Sequence, residues 1–127
     1  DSGLAVSVSF RFSDDTGRHL ENAVFLELKR RGKNLFYYKT QNSLEVDFIC
    51  QEGRKVTDLI QVAKELRDEK TKSRELKALF KAMDETGLKN GTIVTYEDEG
   101  EVVGGDNSKN VTIIPAYKFF NLKNVKL

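Results

Sequence analysis

The order of patterns along the chain points to an α/β domain, a mixed central β-sheet covered by helices on both sides. Three observations carry that expectation: a helical stripe, then three runs of period two, then a second helical stripe followed by more strands. The stretch Leu4 to Phe10 reads as a strand, and the polar residues Ser13 to Gly17 lead into the first helix. Leu20, Ala23, Val24 and Leu28 recur at three- and four-residue steps. That helix is expected to end near Gly32, after the basic turn Lys29, Arg30, Arg31, which suits the negative end of its dipole.

From Leu35 to Ala63 the period is two, in the runs Leu35 to Lys39, Leu44 to Cys50 and Val56 to Ala63. Breaks at Gln41-Asn42-Ser43 and Glu52-Gly53-Arg54 separate them. A second helix fits Glu69 to Thr86, with Leu76, Leu79, Phe80 and Met83 as its apolar stripe and Gly87 as a left-handed cap. Gly91 to Tyr96 is the next strand. Acidic residues Glu97 to Glu101 then turn toward Val102-Val103, and Gly104-Gly105-Asp106-Asn107 makes a tight loop before Val111 to Ile114. Pro115 stops that strand and opens a short helix holding Tyr117, Phe119, Phe120 and Leu122.

With 127 residues, 39% apolar and 32% charged, the expectation is one domain over 1–127. The chain opens in mid-pattern without Met, as a fragment of a longer polypeptide would. Its 21 Lys and Arg against 20 Asp and Glu leave a net charge of +1, so anion binding has to be local. One cysteine, Cys50, excludes an internal disulfide and argues against a thiolate zinc site, which points to a reducing, cytoplasmic setting. No apolar run reaches the roughly 20 residues that span a bilayer, so no membrane partner is expected.

Glu21 is the first residue out of pattern, because it falls inside the arc of Leu20, Val24 and Leu28. Its carboxylate is either paired with nearby amides and bases or a metal ligand. Alternation sends Leu44, Val46, Phe48 and Cys50 to one face of the second strand, and Glu45, Asp47 and Ile49 to the other. The two acids suit either a wet edge strand or a cation held between them and Glu21. Gln61 sits among apolar residues on the next strand, on the face of Leu59 and Ala63.

A helix acid, a strand acid, then an acid or amide on the adjoining strand with a lysine two residues on is the layout of the PD-(D/E)XK nucleases, where the acids hold Mg2+ at a phosphodiester. Leu20-Glu21-Asn22, Val24 to Gly32, Glu45-Val46-Asp47-Phe48 and Leu59-Ile60-Gln61-Val62 resemble the nuclease-like C-terminal domain of archaeal-type, AAA-like ATPases. Asp1-Ser2-Gly3-Leu4 resembles the entry to that domain, and Ile113 to Tyr117 its end. The resemblance implies a restriction-endonuclease-like fold, with Glu21, Asp47, Gln61 and Glu45 around Mg2+ and Glu21, Asp47, Gln61 and Lys64 as the catalytic set. It further implies the chain's own N-terminal ATPase domain as partner. The basic run Lys29-Arg30-Arg31-Gly32-Lys33 reads either as a solvated surface or as a local contact to DNA phosphates.

Two departures matter. The lysine position falls on Ala63, with Lys64 adjacent and pointed to the other face, and Gln61 brings no charge. A degenerate accessory domain that docks DNA or a partner is therefore set beside an active Mg-dependent endonuclease. No Gly-rich loop ending in Gly-Lys-Ser/Thr occurs, so no ATP site of that kind lies in these residues. For Asp47 and Gln61 to face each other, paired positions must sum to 108, which implies a three-residue Gly53-Arg54-Lys55 loop. A two-residue Gly53-Arg54 turn would put them on opposite faces. His19 reads as a surface or packing residue, Cys50 as a small buried one, and Tyr37 and Tyr38 as strand packing.

Overall fold

A computed structural model describes residues 3–7, 16–105 and 108–122. The expected strand beyond Ser7 and the Asp106-Asn107 part of the tight loop lie outside them. The described elements are β1 (Leu4–Ser7), α1 (Thr16–Arg30), β2 (Asn34–Lys39), β3 (Glu45–Glu52), β4 (Lys55–Val62), α2 (Glu69–Thr86), β5 (Asn90–Thr95), β6 (Gly100–Gly104), β7 (Lys109–Pro115) and α3 (Ala116–Asn121). The strands form one seven-stranded mixed sheet in the order β1-β2-β3-β4-β5-β7-β6.

β1 to β4 are antiparallel neighbours, with α1 between β1 and β2 and short turns joining β2, β3 and β4. β5 is parallel to β4, a pairing that requires a long crossover, and α2 supplies it. β7 inserts parallel to β5 and antiparallel to β6. Each face has its own core. Ala78, Leu79, Ala82 and Met83 of α2 pack with Val46, Ile49, Leu59 and Ile93 on one side. Leu20, Val24, Phe25 and Leu28 of α1, together with Phe119 of α3, pack with Phe48, Cys50, Ile60 and Val94 on the other.

Helix ends follow local chemistry. At the end of α1, Lys33 N–H donates to Leu28 O at 3.1 Å and Gly32 N–H to Lys29 O at 2.9 Å, with Gly32 at φ 79°. This Schellman closure needs a residue that tolerates positive φ. The Asp68 side chain accepts from Lys70 N–H to start α2, and Gly87 at φ 81° ends it with a bond to Met83 O. Among the described residues, no helix is long and apolar enough to cross a membrane.

Candidate functional site

Two bulges build the site. The β3–β4 turn is the two-residue Gly53-Arg54, since Glu52 pairs with Lys55 and Gly53 has φ 63°. That corrects the three-residue loop expected from sequence. Yet Asp47 and Gln61 still meet, because the register shifts between Cys50↔Asp58 and Gln51↔Val56 and leaves Thr57 extra on β4. Its hydroxyl donates to Cys50 O at 3.3 Å and Asp58 Oδ2 at 2.9 Å. Beyond the bulge Phe48 pairs with Ile60, a register that sets Asp47 against Gln61.

The second bulge lies at Asp47 itself. Phe36 pairs with Ile49 and Tyr38 with Val46, so Tyr37 faces both Asp47 and Phe48. Simple alternation along β3 therefore fails. Val46, with Leu44 packed beside it, joins Ile49 in the α2-side core, while Phe48 and Cys50 lie in the α1-side core, where sequence had placed all four even positions together.

At this place the β3–β4 ladder is finished by side chains. Asp47 N–H donates to Gln61 Oε1 at 2.8 Å, Gln61 Nε2 donates to Glu45 O at 3.0 Å, and Val62 N–H donates to Asp47 Oδ2 at 2.8 Å. Gln61 is only 1% exposed, so both poles of its amide need partners, and the β3 backbone supplies them. The Asp47 carboxyl lies on the rim of a cavity of about 360 Å3, shared with Glu45, Gln61, Arg74, Glu75 and Ala78. Burial pushes its pKa from 3.8 up to about 8. The Val62 bond opposes that rise, and the charges of Glu21, Glu75 and Glu45 add to it.

Glu75 is also raised, chiefly by burial, with Arg74 opposing and Glu21 adding. Arg74 Nη2 stands 3.6 Å from Glu75 Oε2. Both belong to α2, and neither stood among the expected site residues. A signal was present in the spacing, since Glu75 precedes the buried Ala78 and Leu79 by one helical turn.

The other expected residues are placed unevenly. Glu21 is half-buried on α1 and near enough for its charge to be felt by Asp47 and Glu75, without lining the cavity. Lys64 is exposed just past β4 and lines an adjoining open groove with Arg67, Asp68 and Arg74, while Ala63 is buried. Among the described residues, no three His, Cys, Asp or Glu side chains are grouped so as to hold a metal ion. His19 is exposed. Cys50 is buried, and its thiol is pushed up to about 12, first by burial and then by Asp58.

Of the expected DNA-binding residues, Lys29 is exposed and two are engaged within the protein. Arg30 Nη2 lies 2.5 Å from Glu27 Oε2, and Arg31 Nε lies 2.7 Å from the same oxygen. Arg31 Nη2 also donates to Phe119 O at 2.7 Å, and its guanidinium sits 4.7 Å from the Phe119 ring centroid. Arg31 therefore ties α1 to α3. The Arg30 hydrogen bond, helped by Arg31, holds the Glu27 carboxyl below its usual value against the opposing effect of burial.

Comparison with known proteins decides the family. Residues 16–119 match DUF4143, a domain of unknown function. The chain belongs to the DUF4143 family. It is 44% identical over 119 residues to the uncharacterized protein MJ1544 of Methanocaldococcus jannaschii, an alignment covering 87% of this chain and 26% of that protein. The chain thus spans about a quarter of that relative's length. DUF4143 is typically a C-terminal domain of ATPase-like proteins. No solved structure matches the chain.

Proposed function

We propose that this DUF4143 domain is a nuclease-fold accessory module of an AAA-like ATPase, in which the ancestral ion site has become a register pin and the domain serves docking. The observation that carries this is the closed set of bonds among Asp47, Gln61, Glu45 and Val62. The Gln61 carbonyl, which would have to face a hard cation, accepts the Asp47 N–H, and one Asp47 oxygen accepts from Val62. A carboxyl that titrates near 8 carries little charge at neutral pH, which further weakens it as an Mg2+ ligand. The order α1, antiparallel β2 to β4, α2, then β5 parallel to β4 supports the restriction-endonuclease-like reading. Protein docking, above all to the parent's ATPase domain, is favoured over DNA because Arg31, the central cation of the basic run, is enclosed by Glu27 and Phe119.

The second reading, an Mg-dependent DNA endonuclease, draws on the mutual repulsion of Glu21, Asp47, Glu75 and Glu45, which a bound cation would relieve. Titrating Mg2+ and Mn2+ while following the amide resonances of Asp47 and Gln61, alongside a plasmid-nicking assay, separates the two. Unmoved resonances to millimolar metal and an intact plasmid support the docking module. Saturable movement of both amides with metal-dependent nicking overturns it.

A further inference from the structure

The N-terminal strand is held by one carboxylate far from the cavity. Glu85, in the last turn of α2, accepts from Gly3 N–H at 3.0 Å, Tyr38 Oη–H at 2.7 Å and Gln41 N–H at 3.0 Å. Gly3 N–H is shared with Tyr38 Oη at 2.9 Å. Three segments distant in sequence thus meet on one side chain that is only 7% exposed.

Two features show that this convergence comes at a cost. A carboxylate near a helix C-terminus opposes the helix dipole, and the last turn of α2 carries no basic residue to offset it. Lys81 is one turn back, 4.0 Å away. At the other partner, a Cβ on Gly3 would collide with the Lys39 carbonyl, so the chain can pass this close to β2 only as glycine. β1 itself has four residues and, among the described residues, pairs on one side alone, with β2. Short edge strands with few bonds open locally at low free energy.

From these observations we infer that Glu85 is a catch and β1 a strap: the catch fixes where the incoming chain joins the sheet, and breaking it lets β1 leave as a unit and bare the edge of β2. The strap links whatever precedes Gly3 to the end of α2, which makes it a conformational device independent of the Asp47 cavity. Glu85→Gln keeps shape and loses the charge and one acceptor oxygen. Gly3→Ala attacks the same contact from the other side.

Hydrogen exchange of this chain, read by mass spectrometry or NMR, tests the inference in wild type, Glu85→Gln, Glu85→Ala and Gly3→Ala. The expected result is protection of Leu4–Ser7 in wild type, a loss of about tenfold or more in each variant, and unchanged protection in β3 to β5. Should Glu85→Ala fail to fold, the other two variants decide. An unprotected β1 in wild type, wild-type protection of β1 in Glu85→Gln and Gly3→Ala, or a uniform loss across β1 to β5 would overturn it.

Discussion

Replacing Asp47 with Asn tests the electrostatics of the cavity most directly. The folded carboxyl titrates near 8 and the unfolded one near 3.8. Between those values the folded protein holds a proton that the unfolded chain has released, so stability must fall as pH rises. Below the lower value both states are protonated and nothing is lost; above the upper value the loss is complete. Each unit is worth about 1.36 kcal/mol, which sets a ceiling of roughly 6 kcal/mol over the interval. Asp47 is only half-buried and its rim opens on the cavity, so screening brings the expected loss to about 2–3 kcal/mol.

Asn keeps the acceptor for Val62 N–H and removes the titration. Urea unfolding at several pH values from about 4 to 8 gives the comparison. Wild type should lose stability steadily across that range. The Asp47→Asn protein should match it near pH 4, exceed it by about 2–3 kcal/mol near pH 8, and keep a shallower slope from Glu75, which is raised for the same reason. Wild-type stability that rises with pH in this window, or an Asn variant weaker than wild type at pH 8, would refute the argument.

Gln61→Ala leaves Asp47 N–H and Glu45 O without partners and opens a void, for an expected cost of about 3 kcal/mol in urea unfolding. Gln61→Glu, which cannot donate to Glu45 O when ionised and adds a charge beside Asp47, should be destabilised more at pH 8 than at pH 5. Arg31→Ala should cost about 2 kcal/mol and loosen α3, seen as faster exchange at Phe119, with no change in DNA retention on a heparin-type or DNA column. Deleting Thr57 should swap the faces of β4 downstream of the bulge and abolish cooperative unfolding, whereas Thr57→Val, which removes the hydroxyl bonds alone, should cost about 1 kcal/mol.

Much of the fold was legible because burial imposes periodicity. α2 runs from Glu69 to Thr86 as the Leu76, Leu79, Phe80 and Met83 stripe and the Gly87 cap indicated. The three-strand meander and the helix after Pro115 were equally plain, since period two and a lone proline leave few alternatives. The meeting of Asp47 with Gln61 was also anticipated, but through the wrong turn. A bulge leaves almost no mark in a sequence, as Thr57 is an ordinary strand residue and nothing beside it shows that it is extra. The faces of Val46 and Phe48 were misread for the same reason. Arg31 looked like a DNA contact because charge alone cannot show that Glu27 and Phe119 would enclose it.

The two bulges explain why a polar pin stands in this part of the sheet. One sits on β4 at Thr57 and the other on β3 at Asp47, and the regular β3–β4 register runs only as far as Phe48↔Ile60. Unpaired backbone groups at that opening would be costly, and a strand pair without them could slip by a residue. Gln61 reaches across to both Asp47 N–H and Glu45 O, and Asp47 reaches back to Val62 N–H, so three polar bonds close the gap and make a slipped register unsatisfiable. An apolar pair at these positions would fill the space but leave those backbone groups unsatisfied. On the proposed reading, that is what keeps an acid facing an amide here once metal no longer requires them, and it is why Gln61→Ala is expected to harm the fold while Asp47→Asn improves it.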